Sequence, residues 1–311
     1  LKKRLIPLLL LIICNWFGLF ISCGLFDSDD DGGKIKIPTP PTTIASAVPA
    51  WSPDGQWIAI AWLGYPTVVQ GGIYLIRPDG SGLHLLFSFG DFGYIIDLCW
   101  APDGDWLAFN AFQEIWKIKS NGDSLTRLTY SGENYHCTWS LSDTLIAFEH
   151  SAGYQHGTWL MDTEGNNQRF FIKNGGIIDF AKDDSLFYEL SIEQGRGKMA
   201  LINVSDSTER LIYIMDTGKP YQTYYDPEIS PDGKEIVFGI DSQIRKLTTE
   251  GTNLQTLTVD GGRFPHWSPD GNHIVYCETD TIGYKVKIMR SDGSDKRLLI
   301  DFVELLPDSL K

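Results

Sequence analysis

The sequence predicts an all-β chain folded as a β-propeller of six four-stranded antiparallel blades. Three observations predict it. A unit of about 40 residues recurs six times along the chain. Each copy sets short apolar runs on either side of Asp-Gly-type turns, the signature of antiparallel hairpins. The composition is rich in strand-forming aromatics and in glycine, with 10 Trp, 13 Tyr, 16 Phe and 31 Gly in 311 residues.

In chain order, residues 1–22 form the first unit. Lys2, Lys3 and Arg4 precede Leu5 to Ser22, which carry no formal charge, the pattern of an export signal or a single membrane anchor. Leu19-Phe20-Ile21-Ser22-Cys23-Gly24 then resembles the lipobox of bacterial lipoproteins. Phe20 stands where a smaller aliphatic residue is usual, and a cleaved signal without lipid or an uncleaved anchor are the alternatives. The resemblance implies that Cys23 becomes a lipidated N-terminus and that Gly24 does not favour retention in an inner membrane. Several acyl chains on one residue hold a protein firmly to a bilayer, so membrane lipid is the first expected partner.

Residues 23–44 read as an acidic, Pro-rich tether, too poor in apolar residues to pack. Asp27, Asp29 and Asp31 before Gly32 match the first half of a calcium loop, but Pro38 stands where the bidentate Glu belongs. Ca²⁺ is therefore weakly indicated there, and no cofactor is expected.

The propeller is expected over 45–311. Its clearest repeats are Trp51-Ser52-Pro53-Asp54-Gly55, Trp100-Ala101-Pro102-Asp103-Gly104 and Trp267-Ser268-Pro269-Asp270-Gly271, with Ile229-Ser230-Pro231-Asp232-Gly233 a fourth. Degenerate copies start at Trp139 and Phe180, and the six anchors are spaced by 49, 39, 41, 49 and 38 residues. After each anchor comes an apolar strand such as Leu107-Ala108-Phe109, and later a second turn such as Asn121-Gly122. Sheets with two apolar faces must stack on their own kind, and a closed ring leaves no long free edge. The anchor aromatics are expected between blades.

These motifs, recurring in register over about residues 45 to 300, resemble the repeat of TolB-family propellers, shared with the non-catalytic propellers of prolyl peptidases. The resemblance is specific for fold and weak for function. Those families carry an additional α/β or hydrolase domain, for which this chain is expected to have no room.

Charge narrows the function. The net charge of −14 becomes −17 once Lys2, Lys3 and Arg4 are set aside, and there is no basic stripe, so nucleic acid is not an expected partner. There is no Gly-x-Ser-x-Gly elbow, His-Glu-x-x-His pair or phosphate loop, so no enzyme is predicted. Cys99, Cys137 and Cys277 are an odd set without CxxC spacing, expected as small buried residues with at most one intramolecular pair.

Two groups are candidate sites. The residue three before each anchor is commonly Asp in the resembled family. Here the positions hold Val48, Asp97, His136, Ile177, Asp226 and Phe264. Radial packing would bring Asp97, His136 and Asp226 to the tunnel mouth as a polar ring, unless each merely caps its own hairpin. The second group is the set of loop residues Tyr65, Tyr154, His156, Tyr221 and Tyr224, aromatics and a histidine suited to protein contacts. The expected function is a lipid-tethered propeller that serves as an interaction or scaffold module, with an envelope protein as partner, on the periplasmic or outer-membrane face. The rival is a tunnel that binds a small molecule, glycan or metal ion.

Overall fold

The computed structural model describes residues 46–63, 70–90, 95–152, 155–173, 175–192, 196–216, 224–259, 261–279 and 284–302. The expected calcium half-loop, Cys23, Tyr65, Tyr154 and Tyr221 lie outside them.

Six sheets of four consecutive antiparallel strands form blades 1 to 6, over 46–87, 95–127, 133–173, 176–216, 224–256 and 262–301. The first strand of each is innermost: Ser46–Trp51, Ile95–Trp100, Glu133–Trp139, Gly176–Phe180, Tyr224–Ile229 and Gly262–Trp267. Each of these touches the first strand of the next blade, and the last touches Ser46–Trp51, so the ring is closed.

The anchor motif explains the hairpin that follows it. Ser52 Oγ donates to Asp54 Oδ1 at 2.6 Å and accepts from Trp57 N at 2.9 Å, while Asp54 Oδ1 accepts from Gln56 N at 2.9 Å. Gly55 closes the turn at φ 71°. Ser230 with Asp232 and Ser268 with Asp270 repeat the bond at 2.8 and 2.5 Å. Serine and aspartate thus consume the turn's free backbone donors, which is why the motif recurs with so little variation.

The core lies between blades. Trp51, Trp139 and Trp267 are buried, and Trp100 Nε1 donates to Ala50 O of blade 1 at 3.1 Å. In the second strands Phe109, Phe148, Phe238 and Tyr276 are fully buried at matching places, two residues after the partner of the anchor. Buried apolar clusters join blade 2 to 3, 3 to 4, 4 to 5 and 5 to 6, and one larger cluster joins blade 6 to blades 1 and 2.

The glycine of the second turn has a further duty, as at Gly165. Its φ is +84°, and a Cβ there would stand 2.7 Å from Leu128 O of the preceding blade. Gly233, at φ +78°, has nothing within 4 Å of such a Cβ. Gly165→Ala should therefore lower stability by ~3 kcal/mol, and Gly233→Ala by ~1 kcal/mol, in denaturant titrations. Equal losses would mean that backbone conformation alone matters.

Candidate functional site

The six inner strands converge on an axial cavity of about 80 Å³, lined among others by Asp97, Cys99, His136, Asp179, Glu228 and His266. That volume holds a few waters or one ammonium-sized group. A larger groove of about 260 Å³, bounded by Asp183, Asn203 and Arg210, lies on blade 4 away from the axis.

Local backbone geometry aims these side chains. Pairing of the inner strand with the second strand slips in blades 2 to 6, at Ile96 beside Asp97 in blade 2 and at the residue three before the anchor in blades 3 to 6. His136 and Phe264 stand there at φ 31° and 50°. A bulge at this point turns the side chain three before the anchor towards the axis.

Asp97 and His136 both line this cavity. Asp97 Oδ2 accepts from Cys137 N of blade 3 at 3.1 Å, so it caps the neighbouring blade as well as its own strand at Leu98. Burial pushes its carboxyl above the usual range, opposed by His136 and by the N–H groups of Cys137 and Leu98. His136 Nδ1 stands 3.2 Å from Glu149 Oε2, and His156 Nε2 stands 3.3 Å from Glu149 Oε1. The buried Glu149 thus joins His156, expected as a loop contact, to the axial group. Asp226 and Tyr224 lie in the inner strand Tyr224–Ile229, with their side chains outside the described set.

A second column, one residue before each anchor, was not singled out from sequence. Thr138 Oγ1 donates to Asp179 Oδ1 at 3.3 Å, and Asp179 Oδ2 accepts from Ile229 N at 2.9 Å. Glu228 Oε2 accepts from Trp267 N at 2.5 Å, and His266 Nδ1 accepts from Trp51 N at 3.2 Å. Each member reaches the next blade, so the chain of bonds runs from blade 3 round to blade 1. Burial raises Asp179 to about 6 and lowers His266 to about 4. Most polar atoms of the cavity wall are thereby committed to holding blades together. Among the described residues no three His, Cys, Asp or Glu side chains are placed to hold a metal ion.

Strand alternation separates the two faces of the ring. The connections after first and third strands all fall on one face and are uniform, of five to seven residues. Those after second and fourth strands fall on the other and range from two residues (112–113) to eight (64–71).

An aromatic patch stands on the same face at blades 1 and 2. Phe112 and Tyr130 are 49% and 72% exposed. Phe89 meets Phe112 at 5.0 Å and Trp116 at 5.3 Å, both edge to face, and Arg127 lies 4.8 Å over Tyr130. Phe112 and Gln113 form a two-residue turn at φ 54° and 62°. The same turn in blade 5 uses Asp241 and Ser242, at φ 50° and 58°. Small polar residues tolerate that conformation, and a bulky aromatic is uncommon in it.

No protein-family model and no curated protein matches the sequence. Solved structures do. A protein of Agrobacterium tumefaciens described as a TolB is 20% identical, with a TM-score of 0.60 over 71% of this chain and 84% of that one. TolB of Acinetobacter baumannii is 16% identical, with a TM-score of 0.63 over 80% of this chain. This chain spans 62% of that protein. A chain of a nidogen/laminin complex is 11% identical, with a TM-score of 0.59 over 81% of this chain and 91% of that one. What the chain shares with these proteins is a fold, the closed ring of four-stranded antiparallel blades.

Proposed function

We propose that the protein is a non-catalytic interaction module of the cell envelope that docks an envelope protein on its variable face. Phe112 carries the reading, because an exposed aromatic occupies a left-handed turn position that Asn, Asp or Gly would fill with less strain. Phe, Tyr, Trp and Arg are also the side chains that dominate binding energy at protein interfaces. The likeness in fold to TolB and to a chain of a nidogen/laminin complex accords with a role in assembly. Residues 1–22 are read as the export signal, Cys23 as the lipid attachment point and residues 23–44 as a tether. That arrangement would present the propeller from a membrane, at the periplasmic or outer-membrane face.

Phe112→Asn should leave stability within about 1 kcal/mol of the parent, because it trades a hydrophobic contact for an easier turn. It should also weaken capture of the crosslinked envelope partner by about tenfold or more. Tyr130→Ala should act alike, and Asn121→Ala on the opposite face should not. Undiminished capture by Phe112→Asn and Tyr130→Ala would remove the proposed interface.

A second reading, a small cationic ligand in the axial cavity, is favoured by Asp97, Asp179 and Glu228 in its wall. It predicts a ligand-dependent melting shift that is lost in Asp97→Asn.

A further inference from the structure

Cys99 and Cys137 sit on adjacent inner strands, in blades 2 and 3, with their Sγ atoms 3.6 Å apart. Both are free thiols and both line the axial cavity. We propose that they form a dithiol that oxidises to an inter-blade disulfide, a modification site in the wall of the axial cavity.

The geometry requires little movement. The sulfurs must close by about 1.5 Å to reach a bonded distance. The strands that carry them are already tied by the Cys137 N–H bond to Asp97, so side-chain rotation supplies most of the approach. Cys277, the odd thiol, is fully buried in blade 6 and its Sγ contacts Glu278 O at 3.9 Å, which keeps it out of the exchange.

The two thiols have separate parts. Cys99 is partly exposed and meets the oxidant first. Cys137 is buried, and its thiol is pushed well above the ordinary range by its contact with Cys99, by burial and by the neighbouring Asp97. Cys99 thiolate attacks one sulfur of an oxidant disulfide, either a small-molecule disulfide or the active-site disulfide of a thiol oxidoreductase, and one thiolate departs. Cys137 then loses its proton to solvent and attacks Cys99 Sγ, forming the internal bond and expelling the second thiolate. The protein gives up two electrons and two protons, and the oxidant disulfide becomes two thiols. The role assumed for the propeller bears only on where it would meet such an oxidant, in an exported compartment.

The test uses the full chain with Cys14→Ser and Cys23→Ser, so that the propeller thiols alone remain. It is equilibrated with oxidised glutathione, alkylated while folded and mapped by mass spectrometry. The expected result is a loss of two hydrogens, a peptide pair joined at Cys99 and Cys137, and a Cys277 thiol that reacts only after unfolding. The melting midpoint should rise by about 5–10 °C on oxidation and return with reductant. Cys137→Ser should stop at a glutathione adduct on Cys99. Persistence of all three thiols, an adduct on Cys99 that never resolves in the parent, or a bond that includes Cys277 would overturn the proposal. The assay reads sulfur chemistry alone, so its failure would leave the aromatic face untouched.

Discussion

Phe302→Ala is expected to lower stability by about 3–5 kcal/mol and to open the ring between blades 6 and 1. Each blade is built from four consecutive strands, so among the described residues no strand is shared between the first blade and the last. Closure therefore falls to side chains. Phe302 is 1% exposed and stacks on Trp62 of blade 1, with ring centroids 3.9 Å apart and planes 6° apart, and it meets Tyr74 edge to face at 5.9 Å. Arg297 adds a 2.8 Å bond to Pro78 O across the seam. Phe148→Ala is the control, since it empties a similar volume between blades 2 and 3, away from the seam. Both variants should lose a comparable amount in denaturant titrations. Hydrogen exchange should rise in both Ser46–Trp51 and His273–Thr279 for Phe302→Ala, and in neither for Phe148→Ala. If exchange in Phe302→Ala rose in blade 6 alone, closure would rest on the inner strands instead. A double-mutant cycle with Trp62→Ala should return a coupling of about 1 kcal/mol for the stacked pair.

The position of that seam was not legible in the sequence, whereas the blades were. Anchor, turn and second strand are local, and each repeats often enough for its period to be read. Which residues meet across the closure is fixed by contacts between opposite ends of the chain, such as His266 with Trp51. In the structure Ser46 begins the inner strand of blade 1, and Arg297–Asp301 is the outer strand of blade 6.

The candidate site was half legible for a related reason. Asp97 and His136 stood out three residues before their anchors, where the resembled family carries Asp. Side chains one and three residues before an anchor share a face in a regular strand, so Thr138, Asp179, Glu228 and His266 were open to the same argument. Phe112 and Tyr130 carried no such signal. Their weight comes from backbone conformation and exposure, and neither is written in a residue type.

Asp179 should be the most consequential polar residue of the axis, with a pH signature that a packing residue lacks. Its Oδ1 accepts from Phe180 N at 2.8 Å and from Thr138 Oγ1 at 3.3 Å, and its Oδ2 accepts from Ile229 N at 2.9 Å. Asp179→Ala strands two backbone donors and a hydroxyl, for an expected loss of about 3–5 kcal/mol. Burial holds the carboxyl near 6 in the folded chain, against 3.8 when free. The folded state thus takes up a proton more readily than the unfolded one. The Asp179 contribution is complete below about pH 4 and is lost as pH rises through 6, a swing on the order of 3 kcal/mol. His266 works in the opposite sense. Burial depresses it to about 4 from 6.5, so its contribution is present above pH 6.5 and lost as pH falls through 4. Between pH 4 and 6 the two slopes offset one another, and the parent's urea midpoint should vary little on their account. His266→Gln should leave the Asp179 slope, with stability falling as pH rises from 4 to 6. Asp179→Ala should leave the reverse slope, with stability rising over the same interval. Midpoint curves for the parent and both variants that run parallel across pH 4 to 7 would show that neither group titrates as its burial in the ring demands.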